Sequence, residues 1–206
     1  ATGVRTQFDG ITLGNETLKG LSENNGMLHI LYSRSIGFGF TQGSIARVDP
    51  NTLNLDTSFS GDGRVTLPTS GFFPRDFGPG NSEAKVDLAF DGGNLYVMSD
   101  NGFRTRMVSF DANGNTDSSY NFGPNNYFGG STGTQAHSPV IDGGNVYGAL
   151  DGAFGNSGRI RGRQLDGTAI AGWTDITLPG AEKVIENPVI NGANLYVSTD
   201  QGNVYS

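Results

Sequence analysis

A chain of 206 residues is long enough for one substantial core, so a single domain spanning 1–206 is expected. Its 33 glycines, more than twice the ordinary share of about 7%, suit tight turns rather than helices, and the absence of cysteine excludes disulfides, thiolate zinc sites and cysteine nucleophiles. With 20 acidic against 13 basic residues, a net charge of −7 and no basic cluster, nucleic acid is excluded as a partner, and no apolar run reaches the roughly 18 residues that membrane insertion needs.

In chain order, the stretch Gly3-Val-Arg-Thr-Gln-Phe-Asp-Gly-Ile-Thr-Leu13 reads as a third and a fourth strand, because Gln7-Phe-Asp-Gly10 aligns with Gln164-Leu-Asp-Gly167. Asn24-Asn-Gly-Met-Leu-His-Ile30 is a worn first copy of a hairpin, followed by the strand Ser44 to Val48 and the turn Asp49-Pro-Asn. Val86-Asp-Leu-Ala-Phe-Asp-Gly-Gly-Asn-Leu-Tyr-Val97 is a fuller copy, followed by Arg104 to Phe110 and Asp111-Ala-Asn-Gly. His137-Ser-Pro-Val-Ile-Asp-Gly-Gly-Asn-Val-Tyr-Gly148 is the third, followed by Arg159 to Leu165 and Asp166-Gly. Ala181 to Ile185 is the longest helical candidate, and Pro188 breaks it before two turns are complete. Glu186-Asn-Pro-Val-Ile-Asn-Gly-Ala-Asn-Leu-Tyr-Val197 is the fourth hairpin, and the chain closes on Leu195-Tyr-Val-Ser-Thr-Asp-Gln-Gly-Asn-Val-Tyr205. In each copy an Asp-Gly or Asn-Gly pair sits between apolar strands, where it tolerates the positive φ of a two-residue turn.

The register marks Leu28, Leu95, Val146 and Leu195 recur at spacings of 67, 51 and 49 residues. Repeats of about four strands at this period predict an all-β fold, a small β-propeller of about four blades of four antiparallel strands. The repeats run approximately over 20–84, 85–136, 137–183, and 184–206 joined with 1–19. The last blade is therefore completed by pairing the N-terminal strand, marked by Val4, Thr6 and Phe8, with the C-terminal hairpin, marked by Tyr196, Val204 and Tyr205. Within one chain this closes a ring. Between chains it gives a head-to-tail polymer, and the sequence leaves both open.

The segment Gly43-Ser-Ile-Ala-Arg-Val-Asp-Pro-Asn-Thr-Leu-Asn-Leu-Asp-Thr-Ser-Phe-Ser-Gly-Asp-Gly-Arg-Val65 resembles the bacterial delta-sixty propeller repeat, in which an Arg-apolar-Asp strand leads to Leu-Asp-x-Ser-Phe and a Gly-Asp-Gly turn. Arg106 to Tyr120 is a looser copy, and the Leu195 to Tyr205 hairpin resembles the quinoprotein (PQQ-like) repeat. Both resemblances imply a propeller. The blade-docking Thr-Gly-x-x-x-Trp of quinoproteins is met only by Trp173, which argues against a quinone-dependent dehydrogenase. The propeller families resembled mostly supply binding or scaffold modules, so the fold leaves activity open.

Chemistry-bearing residues are sparse. The only two histidines, His29 and His137, sit on separate predicted strands, and no Gly-x-Ser-x-Gly elbow occurs, so an enzyme is not expected. Asp111, Asn113, Asn115 and Asp117 place side-chain oxygens at every second position, as calcium loops do; but Phe122 stands where the closing glutamate belongs, and the same spacing suits a turn whose Asp and Asn bond their own backbone. Calcium is the one cofactor the residues suggest. Asp87, Ser138 and Asn187 fall at equivalent places on the innermost strands, where a polar channel lining is expected. Two aromatic loops, with Phe72, Phe73 and Phe77 on the first and Tyr120, Phe122, Tyr127 and Phe128 on the second, suit either a glycan or peptide contact surface or a cover over blade ends. Asn15 begins the only glycosylation sequon. The composition, with three lysines and many small polar residues, resembles a mature bacterial protein, secreted or at the cell surface, whose signal peptide has been removed. The expected role is a non-enzymatic structural or adhesive module that self-associates, as oligomer or filament, with glycan or peptide binding as the alternative.

Overall fold

The computed structural model describes residues 16–37, 40–67, 86–100, 105–116, 139–150, 157–185 and 187–206. Every predicted hairpin closes through two residues: Asn24 faces Met27, Asp91 faces Asn94, Asp142 faces Asn145, and Asn191 faces Asn194. In the first turn Asn25 and Gly26 both lie in the left-handed region, at φ 53° and 76°, the mirror-image turn whose twist matches that of the flanking strands.

Four antiparallel sheets follow one another along the chain. β1 (Glu16–Asn24), β2 (Met27–Gly37), β3 (Phe40–Val48) and β4 (Arg64–Thr66) form the first. β5 (Val86–Asp91), β6 (Asn94–Asp100) and β7 (Thr105–Phe110) form the second, and β8 (Val140–Asp142), β9 (Asn145–Leu150), β10 (Arg159–Gln164) and β11 (Ile176–Thr177) the third. β12 (Val189–Asn191), β13 (Asn194–Ser198) and β14 (Val204–Tyr205) form the fourth. No helix occurs among the described residues; Ala181 ends a turn, and Val184 forms an isolated bridge with Thr199. The first strands stand side by side, β1 against β5, β5 against β8, and β8 against β12. This is a propeller-type arrangement. Glu16, Thr17 and Leu18, grouped by the sequence with the closing repeat, pair inside the first sheet.

The core lies between successive sheets because period-two alternation gives each sheet two apolar faces. In the second sheet, Leu88, Val97 and Val108 lie abreast, as do Phe90, Leu95 and Phe110. Both rows pack on Leu31, Ile45, Phe59 and Leu67 of the first repeat. The opposite face offers Tyr96 to Val146 and Leu150 of the third sheet. The third sheet meets the fourth through Ala149, Ile160 and Leu178 on one side and Val184 and Val197 on the other.

Candidate functional site

The densest polar chemistry sits where the first two sheets dock. Arg47, on β3, donates from Nε to Asp56 Oδ2 at 2.7 Å, from one terminal nitrogen to Ser58 Oγ at 2.8 Å, and from the other to the Ala112 carbonyl of the second repeat. Asp56 Oδ1 accepts the Ser58 hydroxyl at 2.7 Å and its amide at 3.0 Å, and those bonds, with Arg47 behind them, hold its carboxyl below the usual range. The Arg47 guanidinium lies 4.8 Å above the centre of the fully buried Phe59 ring, which meets His29 edge-on at 6.0 Å. A Cβ on Gly114, which sits at φ 83°, would come within 2.9 Å of that ring, and the Ser60 amide donates to the Asn113 carbonyl at 2.6 Å.

His29 is the buried ionisable group of this junction. Its ring lies 4.8 Å from that of Phe90, and its Nδ1 has no hydrogen-bond partner among the described residues. Burial, reinforced by the nearby Arg47 charge, lowers its pKa to about 4, so it is neutral at pH 7. Beside it Asn24, Asn25, Met27, Gly93 and Asp111 line a cavity of about 70 Å³. That is room for a few water molecules, well short of the roughly 300 Å³ at which small-molecule sites begin. Arg47 and Asp56 are engaged with each other and with their neighbours. The knot therefore fastens two sheets, and it is built from Arg47 of the Arg-apolar-Asp stretch and from Asp56, Ser58 and Phe59 of Leu-Asp-x-Ser-Phe.

Of the candidate calcium ligands, Asp111 accepts from the Asn113 and Asn115 amides at 2.9 and 2.8 Å and from the Asn115 side chain at 2.9 Å. The Asn115 side chain leads the bonds that keep the Asp111 carboxyl low. This is the self-bonded turn; Asp117 lies outside the described residues, and among the described residues no three acids or histidines gather as a metal site. Also outside them are Val4, Thr6, Phe8, Asn15, Phe72, Phe73, Phe77, Tyr120, Phe122, Tyr127, Phe128, His137 and Ser138.

The closing hairpin is described. Val197 and Ser198 pair with Tyr205 and Val204, and Glu182 ties the hairpin down by accepting from Thr199 Oγ1 at 2.7 Å, Tyr205 OH at 2.9 Å and Asn203 Nδ2 at 3.0 Å. Those donors, Thr199 first, lower the Glu182 pKa. Glu182 stands out by no local signal and only its distant partners reveal it; Arg47 belongs to the Arg-apolar-Asp stretch, but its reach to the Ala112 carbonyl is not written there. Trp173 packs on Gly162 and lies 5.1 Å from Tyr147, on the side of the third sheet that meets the fourth.

Exposed apolar side chains stand on the first and fourth sheets, Leu18 (54%) and Leu21 (59%) on β1, Val189 (59%) on β12 and Val204 (68%) on β14, although Tyr32 and Ile30, paired beside Leu18 and Leu21, are buried. No helix among the described residues is long and apolar enough to cross a membrane.

No family model and no curated protein matches the chain. Among solved structures it is similar to a prolyl endopeptidase (15% identity, TM-score 0.45, 90% of this chain and 23% of that one) and to a neuraminidase-like protein from a flat-faced bat isolate of Peru (12%, 0.49, 93% and 59%). It is also similar to the exo-beta-1,3-galactanase of Phanerochaete chrysosporium (13%, 0.46, 91% and 43%). The chain thus spans less than two thirds of each of these structures, and at such identities and scores the likenesses say nothing about what it binds or transforms.

Proposed function

We propose that the chain is a non-catalytic propeller-type structural module, secreted or at the cell surface, that associates with further copies of itself through its terminal repeats. The observation that supports this reading is the row of first strands, β1 beside β5, β5 beside β8 and β8 beside β12, with exposed apolar side chains on the strands of its first and last sheets. The short pairing of β14, two residues against six for β10, supports it, since a strand of a second copy would extend that ladder. The segment proposed to be lent, read as a strand from the sequence alone, is the one marked by Val4, Thr6 and Phe8.

Sedimentation across a concentration series tests the reading. Assembly that grows with concentration is expected, and Thr6→Pro, which puts a residue without an amide proton into the lent strand, should abolish it while leaving the circular dichroism spectrum unchanged. A wild-type chain that stays at 21.7 kDa at all concentrations would overturn the proposal.

A further inference from the structure

An asparagine followed by glycine can convert itself. The glycine amide nitrogen attacks the asparagine side-chain carbonyl, and the second residue has no side chain to obstruct the five-membered ring that forms. Among the described residues the pair occurs at Asn25-Gly26, Asn113-Gly114 and Asn191-Gly192, and the fold treats the three differently.

The Asn113-Gly114 pair is locked. Gly114 is buried against Phe59, its amide donates to the Asp111 carbonyl at 3.0 Å, and the Asn113 carbonyl accepts from the Ser60 amide. Asn191 is a strand residue, held in the ladder opposite Asn194. Asn25 and Gly26 are exposed and occupy the two central positions of their turn, so the last ladder pair, Asn24 with Met27, closes without the Gly26 amide. That amide donates instead to Glu23 Oε1, at 2.6 Å. A carboxylate thus holds the one proton that the attack must remove. A Cβ built on Gly26 would meet nothing within 4 Å, so the ring has room to form.

We propose that Asn25 is a self-modifying residue, deamidating through a cyclic imide with Glu23 as the general base. The Gly26 nitrogen bonds to Asn25 Cγ while its proton passes to Glu23 Oε1. The Cγ–Nδ2 bond breaks, and the proton returns to the departing nitrogen, which leaves as ammonia. Solvent water then opens the ring at either carbonyl, giving aspartate or the isomer whose backbone runs through the side chain. Either product places a new carboxylate on a turn that borders the cavity shared with Asp111 and Arg47, and the isomer adds a carbon to the backbone of a two-residue turn. The reaction does not depend on self-association.

Mass spectrometry of tryptic peptides from folded protein incubated at neutral pH tests this, because Asn25 falls in the peptide from Gly20 to Arg34 and fragment ions separate it from Asn24. Asn25 should convert ahead of Asn113 and Asn191. Glu23→Gln keeps an oxygen that can accept from the Gly26 amide but is no base, and should slow the conversion roughly tenfold. Glu23→Asp, with the same charge and a shorter reach, should slow it as well. In urea the three sites should convert at similar rates, and the Glu23 variants should match wild type. Conversion of Asn25 no faster than that of Asn113 or Asn191 in the folded protein would overturn the proposal. So would a rate unchanged or raised in Glu23→Gln, the raised rate meaning that Glu23 guards the turn. Should Glu23→Gln not fold, as its melting temperature would show, wild type alone decides: Asn25 must lead when folded and lose that lead on unfolding.

Discussion

His29 shows how one side chain can carry more consequence than its local sequence suggests. On a strand whose neighbours Leu28 and Ile30 face backward, it points forward into the junction with the second sheet, between Phe59 and Phe90. Its ordinary pKa of 6.5 falls to about 4 in the fold, mainly through burial. A depressed value means the unfolded chain takes up the proton first, so the stabilisation is complete above pH 6.5 and is lost as pH falls toward 4. The loss is on the order of 2–3 kcal/mol. His29→Phe keeps an aromatic ring in place and removes the titration. Its urea midpoint should be nearly flat between pH 6.5 and 4, where the wild-type midpoint drops; parallel curves for the two proteins would assign the acid sensitivity elsewhere. The sequence supplied the strand and not the environment, because the rings around His29 come from residues 30 and 61 positions away.

At the scale of elements, the hairpins were legible because their signal is local: an Asp-Gly or Asn-Gly pair between apolar runs, as at Asp142 to Asn145. The bulge in β1 was not. Strict alternation puts Leu18 and Leu21 on opposite faces, and nothing in Leu18-Lys-Gly-Leu21 announces the shift that unites them. The knot around Arg47 was half legible. Its residues were recognisable as a repeat pattern, but the pattern does not say that Arg47 crosses to the Ala112 carbonyl and clamps the second repeat to the first. Arg47→Leu leaves Asp56 Oδ2 and the Ala112 carbonyl without the Arg47 donor, while Ser58 still holds Asp56 Oδ1, and should cost about 2 kcal/mol in urea unfolding. Arg34→Ala removes the exposed bonds to Gln42, at 2.8 and 3.2 Å, and should cost less than about 0.5 kcal/mol. Equal losses would mean that the clamp adds no more than a surface contact.

At the scale of the whole molecule, sheets that touch mainly their sequence neighbours make stability close to a sum of local terms plus interface terms. Those terms are uneven. The first and second repeats share the largest buried cluster, which includes Phe59 and Phe110, and the first sheet pairs β2 with β3 over nearly the full length of both strands. The fourth sheet holds strands of three, five and two residues and relies on Glu182 to pin its last hairpin. The molecule should therefore open from the fourth sheet inward. In hydrogen exchange on dilute protein, the amides of Val197 and Tyr205 should exchange roughly tenfold or more faster than those of Leu31 and Ile45, with Glu182→Ala widening the gap. Raising the concentration until copies associate should slow Tyr205 and leave Leu31 unchanged, since a strand lent by a second copy pairs beside β14. Uniform protection at every concentration would mean that the four sheets unfold as one unit and that β14 gains no partner from a neighbour.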